Sequence, residues 1–146
     1  MGYCPLLIVD CFFEARLMGK VVFENLQVYQ LSEKLADLLW EIVIRWNYFE
    51  RDTIGKQLVR CADSIGANIA EGTGKGSFAD NKRYAKIARG SLYETKHWLR
   101  RAYKRNLLKH DETTQLKSLI DELLPRLSAY INSIGTVSKN KNSMDD

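Results

Sequence analysis

The sequence predicts an all-α protein, an antiparallel up-and-down four-helix bundle. Apolar residues recur at steps of three and four residues in four separate segments, and no segment alternates polar and apolar residues for long enough to form a strand. The links between these segments are short, which favours antiparallel neighbours. With 146 residues, 45% of them hydrophobic and 27% charged, the chain has the composition of one globular domain. We expect the bundle domain to cover residues 19–135.

The two ends of the chain differ from this domain. Residues 1–18 have no period that continues into the rest, and a natural beginning follows Met18, so we interpret them as an atypical N-terminal extension, from an upstream start or poorly ordered. The alternative is that this apolar segment docks on the bundle. Residues 136–146 are polar and are expected to form a loose C-terminal tail.

The first two helices are predicted from apolar stripes. Helix one runs from Leu26 to Trp46, and helix two runs from Ile54 to about Gly72. Glycine reaches left-handed backbone angles and loses the most entropy in a helix, so the three glycines that follow Glu71 should end helix two. The expected core residues of these helices are Leu31, Leu35, Leu38, Leu39, Ile42, Val43, Trp46, Leu58, Ala62, Ile65 and Ile69.

Capping residues mark the starts of the last two helices. Ser77 followed by Asp80 resembles a capping box and predicts a long helix three. Asp111 is the predicted cap of helix four, and Pro125 should bend or break that helix because proline removes a backbone hydrogen bond. The expected core residues of helix four are Leu116, Leu119, Ile120, Leu123, Leu127, Tyr130 and Ile131.

The glycine-rich segment SIGANIAEGTGKGS at residues 64–77 raises the question of a phosphate loop. The motif fails, because it needs glycine in place of Ile69, serine or threonine in place of Gly76, and a preceding strand. As the end of a helix, the segment instead places small and polar residues opposite the apolar stripe, where a partner helix can approach closely and form a hydrogen-bonded network. That seam lies either inside the bundle or between subunits. Its residues are Arg60, Ser64, Ala67, Asn68 and Glu71.

Positive charge is concentrated in the third helix. The whole chain has a net charge of +4, whereas ten basic and two acidic residues between Lys75 and Arg105 give +8, so the remainder carries −4. Seven residues lie within about 40° of one line along this helix. They are Lys82, Lys86, Arg89, Tyr93, Lys96, Arg100 and Lys104, and we call them the basic stripe. The core-facing side is expected directly opposite, at Ile87, Ala88, Ser91, Thr95, Trp98 and Ala102.

The basic stripe has three interpretations. A cationic row one helix long can follow the phosphate backbone of RNA or DNA. The second interpretation is an ordinary solvated helix face, since nothing here encodes base-specific contacts. The third pairs the stripe with Glu33, Asp37 and Glu41, which lie on consecutive turns of helix one and would belong to a neighbouring subunit. The sequence leaves all three open.

No residue pattern supports an enzyme, a metal or another cofactor. Glu94 and His97 have the Glu-x-x-His spacing of di-iron bundles, but such sites need two of these pairs and two further glutamates, and the chain has only 2 histidines. Neither histidine stands at a spacing from a nucleophile that suggests a catalytic triad. We therefore expect no catalytic activity, no metal and no small-molecule substrate.

The large aromatic residues are expected in the core or in an interface, as is usual for rings at helical spacing. Only Tyr93 is placed to stack on a nucleic-acid base. The others considered are Trp40, Trp46, Trp98, Tyr84 and Tyr103.

Localisation follows from what the sequence lacks. Cys4, Cys11 and Cys61 have no metal-binding spacing and are expected to be reduced thiols. No apolar run is long enough to span a membrane, and the N-terminal run lacks the flanks of a secretory signal, so we expect a cytoplasmic protein with no membrane partner.

Two blocks of sequence resemble a known family. RCADSIGANIAEGTGKGS, followed by RYAKIARGSLYETKHWL, resembles the bacterial four-helix bundle proteins encoded in intervening sequences of 23S ribosomal RNA genes. The opening FENLQVYQLSEKLA is similar to the family's first helix, and the resemblance covers about residues 23–135. The family's motif is matched by Arg60, Ser64, Ile65, Asn68, Ile69, Ala70, Glu71, Gly72, Gly90, Ser91, Leu92 and Glu94.

The resemblance implies a homo-oligomeric ring, expected to be a pentamer, with no established enzymatic activity. It also implies that the motif residues are structural or interface residues. The accessory variability protein of diversity-generating retroelements, which assists a reverse transcriptase and binds nucleic acid, is a distant relative of the family. We therefore expect a non-enzymatic oligomeric bundle that binds RNA or DNA through the basic stripe. The alternatives are a structural or passenger protein without a nucleic-acid ligand, and an adaptor for a protein such as a reverse transcriptase.

Overall fold

The computed structural model of the chain describes residues 22–136. Within them lie four long helices: α1 (Gln27–Val43), α2 (Lys56–Gly74), α3 (Phe78–Lys104) and α4 (His110–Ser133). No strand occurs in this described part, so the predicted all-α class with four helices is confirmed. The predicted N-terminal extension at residues 1–18 and all but the first residue of the predicted tail lie outside the described residues.

The helices pack in an up-and-down bundle around one core. The main contacts join α1 to α2, α2 to α3, α3 to α4, and α4 back to α1. Burying one leucine or isoleucine side chain contributes about 1.5 to 3 kcal/mol, and each helix supplies at least one such residue. The core residues with no exposed surface include Leu35, Leu39, Leu58, Ile65, Ile69, Leu92, Leu123 and Leu127.

The link between α1 and α2 is largely helical. α1 ends at Val43, three residues before the predicted end, and a short helical turn at Tyr48–Glu50 leads into a π-helical turn at Arg51–Gly55 that continues directly into α2. Gly55 is buried. A Cβ at this position would lie only 2.7 Å from Cγ1 of Val43, so glycine is the residue that fits here. This close contact holds the start of α2 against the end of α1.

The turn between α2 and α3 follows the predicted glycine and capping signals, with one correction. α2 ends at Gly74, and Gly76 has a φ of 80°, which favours glycine. Ser77 caps α3, since its hydroxyl accepts a hydrogen bond from the Asp80 amide at 3.1 Å. Gly72 does not end the helix as predicted. It lies inside α2, where a Cβ would come within 2.9 Å of Tyr84 of α3.

The predicted cap of α4 was wrong, and so was the predicted break at Pro125. Asp111 lies in the first turn and is not the cap; the carboxylate of Glu112 instead accepts a hydrogen bond from the Lys109 amide at 2.9 Å. The same carboxylate pairs with Arg45 at 3.1 Å. Pro125 does not break the helix, which continues to Ser133. It lies on the exposed side, where water can satisfy the carbonyl that proline leaves unpaired.

Candidate nucleic-acid interface

The basic stripe lies along the side of α3 that faces away from α2. Ser91 contacts α2, and helical geometry places it about 180° from the centre of the stripe. Five stripe residues are exposed, while Lys82 and Arg89 are half-buried. The exposed members are Lys86, Tyr93, Lys96, Arg100 and Lys104.

The buried face of α3 is not directly opposite the stripe, as the sequence suggested. Ile87, predicted to face the core, is 43% exposed, and Ser91 and Trp98 are only half-buried. The buried face is turned about 110° from the stripe, because it must contact both α2 and α4. It consists of Ala85, Ala88, Leu92, Thr95, Leu99 and Ala102. The stripe therefore occupies the edge of the exposed surface nearer α4.

The cations of the stripe have no acidic partners within residues 22–136. The ion pair formed within α3 joins Arg83 to Asp80 at 3.3 Å, and neither residue belongs to the stripe. Lys96 lies over the ring of Tyr93, with its Nζ 5.6 Å from the ring centroid. The stripe thus presents uncompensated positive charge and one exposed aromatic ring to solvent.

Glu94 and His97, the Glu-x-x-His pair on α3, both contact Trp98. Glu94 accepts a hydrogen bond from the indole of Trp98 at 3.4 Å, and the exposed His97 ring contacts Trp98 edge to face at 5.0 Å. In the described part of the chain, no group of three or more histidine, cysteine or acidic side chains is placed to hold a metal.

The aromatic residues divide between half-buried and exposed positions. Trp46, Trp98 and Tyr84 are half-buried. Trp40 and Tyr103 are 56% and 57% exposed, so a core location is wrong for these two, and their role in an interface stays a prediction. Both stand outside the buried stripes of their helices, which is the physical reason.

The predicted small-residue seam lies inside the bundle, between α2 and α3. Ser64 and Ser91 share a hydrogen bond of 3.0 Å, and the side chain of Asn68 donates to the Ser64 hydroxyl at 2.9 Å. Glu71 lies outside this network and pairs with Lys75 at 3.3 Å. Arg60, Ala67 and Glu94 are exposed, so these predicted seam or motif residues are not part of the α2–α3 packing.

Cys61 extends the seam into the core. The single hydroxyl proton of Thr95 is shared between the Ser91 carbonyl oxygen, at 2.8 Å, and the Cys61 sulfur, at 3.2 Å. Burial raises the pKa of the Cys61 thiol, so the neutral thiol packs here as a small apolar group. Cys4 and Cys11 lie outside the described residues.

On the other side of α2, an open groove runs along the surface between α2 and α1, outside the line where the two helices pack at Gly55 and Gly66. One part of the groove is a cavity of about 200 Å³, rich in small and acidic side chains. Burial, followed by the neighbouring carboxylate of Glu33, raises the pKa of Tyr29 to about 12. Burial and then Asp37 raise the pKa of the Asp63 carboxyl. The cavity is lined by Tyr29, Ser32, Glu33, Ala36, Asp37, Ala62, Asp63, Gly66 and Ala67.

A second, apolar cavity of about 240 Å³ lies between the same two helices, at the end of α1. Trp40 and Ile44, which are 56% and 46% exposed, lie along it with Val59 and Arg60 of α2. Together the two parts form what we call the α1–α2 groove. The sequence alone does not indicate this groove, because its lining comes from two helices. The signal was the pair Trp40 and Ile44, four residues apart and off the buried stripe.

The fold and the stripe define an all-α four-helix bundle with one strongly basic helix face. A family model described as 23S rRNA-intervening sequence protein matches residues 24–129 of the chain. The chain therefore belongs to this family, and the family resemblance found in the sequence is confirmed.

A solved structure shares the fold. It is the crystal structure of a protein of unknown function from the S23 ribosomal protein family of Bacteroides thetaiotaomicron VPI-5482. That chain is 24% identical with a TM-score of 0.66, and the match covers 73% of this chain and 99% of that chain. No curated protein matches the chain. None of the described helices is both long and apolar enough to cross a membrane.

Proposed function

We propose that the protein is a non-enzymatic, self-assembling helical bundle that binds RNA or DNA through the basic stripe of α3. One observation carries this proposal. Six cations lie along one side of a single helix, and none of them forms an ion pair within the described residues. Each phosphate that such a row contacts releases condensed counterions, which favours binding.

The expected binding is independent of nucleotide sequence. Lysine and arginine side chains on an exposed helix face contact phosphates, and phosphate contacts position a nucleic acid without specifying its bases. Tyr93, which is 54% exposed within the stripe, can stack on one unpaired base. A single-stranded RNA or DNA is therefore the expected ligand class.

The family resemblance supports self-assembly. It implies a homo-oligomeric ring of five subunits. A second candidate function is an adaptor for a protein such as a reverse transcriptase, as the distant similarity to the accessory variability protein suggests. The exposed apolar side chains of Trp40 and Ile44 form a surface that a protein partner could cover, and this observation favours the adaptor function.

A charge-removal variant tests the stripe. In a variant with Lys86→Gln, Arg89→Gln, Lys96→Gln and Arg100→Gln, we expect weaker binding of a labelled single-stranded RNA and a log–log salt dependence flatter by up to about 3. Fluorescence anisotropy at a series of salt concentrations measures both.

The matched control removes four exposed cations outside α3: Lys34→Gln, Lys109→Gln, Lys117→Gln and Arg126→Gln. It has the same net charge as the stripe variant, so a local effect must leave its binding close to that of the natural protein. Equal RNA binding by the natural protein and the stripe variant would contradict the proposal. Absence of binding by the natural protein at low salt, including at concentrations where it is a monomer, would leave the structural or passenger alternative.

A further inference from the structure

The outward face of α1 is uncompensated in charge and open to a partner. Glu33, Asp37 and Glu41 are exposed on consecutive turns, and Asp63 of α2 stands beside the first two across the α1–α2 groove. None of the four forms an ion pair within residues 22–136. We call Glu33, Asp37 and Glu41 the acidic row.

The acidic row and the basic stripe are level with each other in the bundle. A Cβ on Gly66 would lie 3.0 Å from Oγ of Ser32, and Ser64, two residues earlier, contacts Ser91. Because α2 is antiparallel to both of its neighbours, Ser32 of α1 lies about level with Arg89 of α3. Near the other end, Gly55 meets Val43, and Cys61 meets Thr95. By the same geometry Val43 is about level with residue 101.

This register places the charges in matching order. On these levels, Glu33 is within about one turn of Arg89, and Asp37 is within about one turn of Lys96. Glu41 is similarly close in height to Arg100. In a closed ring whose axis runs parallel to the bundle, rotation keeps every level unchanged, so the acidic row of one copy meets the basic stripe of the next at these heights.

We propose that a second copy of this chain docks the basic stripe of its α3 on the acidic row and the α1–α2 groove beside it, head to tail, and that RNA competes with this contact for the same cations. The competition rests on the nucleic-acid function proposed above, whereas the docking does not. Such a heterologous contact uses two different surfaces of each copy and generates rings or open arrays.

The apolar parts of the two surfaces also match in height. Tyr93 of one copy is about level with the small side chain of Ala36, which leaves space for its ring. Tyr103 is about level with Ile44, and both are about half exposed in the single chain. Covering exposed apolar surface of this kind lowers the free energy and so favours association. The flanking charges then set the register of the two copies.

The contact hides the stripe that would bind nucleic acid. A cation cannot pair with a carboxylate of a neighbouring copy and a phosphate in the same place. Assembly therefore lowers the fraction of stripes that are free for RNA, and the apparent Kd rises in proportion.

The acidic-row variant Glu33→Gln, Asp37→Asn and Glu41→Gln separates the two events, because it leaves the stripe intact. We expect a shift to smaller species in sedimentation velocity at low salt. In the same buffer we expect tighter binding of a labelled single-stranded RNA, by about 3- to 10-fold at protein concentrations where the natural protein is assembled.

The control variant Asp111→Asn, Asp121→Asn and Glu122→Gln removes three exposed acidic side chains from α4 and has the same net charge as the acidic-row variant. Its assembly should match that of the natural protein.

A charge exchange within one chain tests the pairing directly. A variant with Glu33→Lys, Asp37→Lys and Glu41→Lys should lose assembly, and so should one with Arg89→Glu, Lys96→Glu and Arg100→Glu. Combining all six changes restores opposite charges on the two surfaces, so assembly should return while RNA binding stays lost. Circular dichroism of each variant checks that the bundle is folded.

The outcomes distinguish the docking from the nucleic-acid function. Assembly that is unchanged in the acidic-row variant, or a natural protein that is monomeric at low salt, overturns the docking whatever RNA does. Failure of the six-fold exchange to restore assembly in a folded protein also overturns it. If the acidic-row variant dissociates but neither it nor the natural protein binds RNA, the docking stands and the nucleic-acid function is wrong.

Discussion

The side of α2 that faces α3 is closed and hydrogen-bonded, whereas the side toward α1 borders an open groove. Toward α3, Ser64, Ser91 and Asn68 form hydrogen bonds of 2.9 to 3.0 Å, and Gly72 brings the helix against Tyr84. Toward α1, Asp63 and Trp40 line an open groove with cavities of about 200 and 240 Å³. The closed edge satisfies its polar groups inside the chain, whereas the open edge leaves charge and apolar surface for a partner.

Substitutions on the two sides of α2 should therefore have different effects. Changes on the closed edge alter packing and hydrogen bonds, so they should appear in the free energy of unfolding. Changes on the open edge remove few internal contacts, so they should appear mainly in association. The substitutions below test this division, from the largest expected effect on stability to the smallest.

Ser64→Leu and Ala67→Leu add a similar side chain to the two sides of the division. At Ser64 the leucine overpacks the seam and removes the hydroxyl that bonds to Ser91 and Asn68, so we expect a loss of about 2 to 4 kcal/mol. At the exposed Ala67 we expect a change within about 0.5 kcal/mol. Urea unfolding followed by circular dichroism measures both, and equal losses would show that the two edges are not distinct.

Gly72→Ala and Gly90→Ala apply one substitution to a closed and an open position. The added methyl at Gly72 meets Tyr84 and Asn81 at 2.9 Å, so we expect a loss of about 1 to 3 kcal/mol. Gly90 has nothing within 4 Å of its added methyl, so alanine there should raise the free energy of unfolding by about 0.5 to 1 kcal/mol. Melting temperatures of the two variants should move in opposite directions. A stabilised Gly72 variant would mean that α2 and α3 can separate without cost.

Asp63→Asn tests the groove through pH. Burial first, and then Asp37, raise the pKa of the Asp63 carboxyl, so the folded protein holds this proton more tightly than the unfolded chain. The stabilisation by the protonated form is therefore present below the unfolded pKa and is lost as the pH rises through the folded pKa. At about pH 7, asparagine should raise the free energy of unfolding by less than about 1 kcal/mol, because the Asp63 side chain is only partly buried and solvent screens its charge.

The pH dependence supplies the control for this prediction. Below about pH 3 both the natural protein and the Asp63 variant are uncharged at this position, so their unfolding curves should coincide. A stabilisation that is the same at both pH values would indicate a packing effect of asparagine instead of the negative charge in the groove.

Local signals in the sequence predicted much of the fold. The apolar period placed all four helices, Ser77 was identified as the cap of α3, and Gly76 adopts the left-handed angle that the glycine cluster suggested. Asp111 is not the cap of α4, because the neighbouring Glu112 accepts the hydrogen bond from the Lys109 amide. Pro125 does not break α4, because it lies on the exposed side of the helix. The candidate site was predicted only in part. The stripe was found from its spacing, but Asp63 and the groove beside it were not.

The helical class, the family, the concentration of positive charge in the third helix and the small residues of the second could all be predicted from the sequence. These are local properties, since a helical period and a charge count depend only on residues near one another in the chain. The tertiary structure decided which side of α3 is buried, that Ser64 is inside the seam while Ala67 is exposed, and that Asp63 stands beside Asp37. The physical reason is that burial and electrostatic fields depend on which helices flank a residue, and residues distant in sequence supply those neighbours.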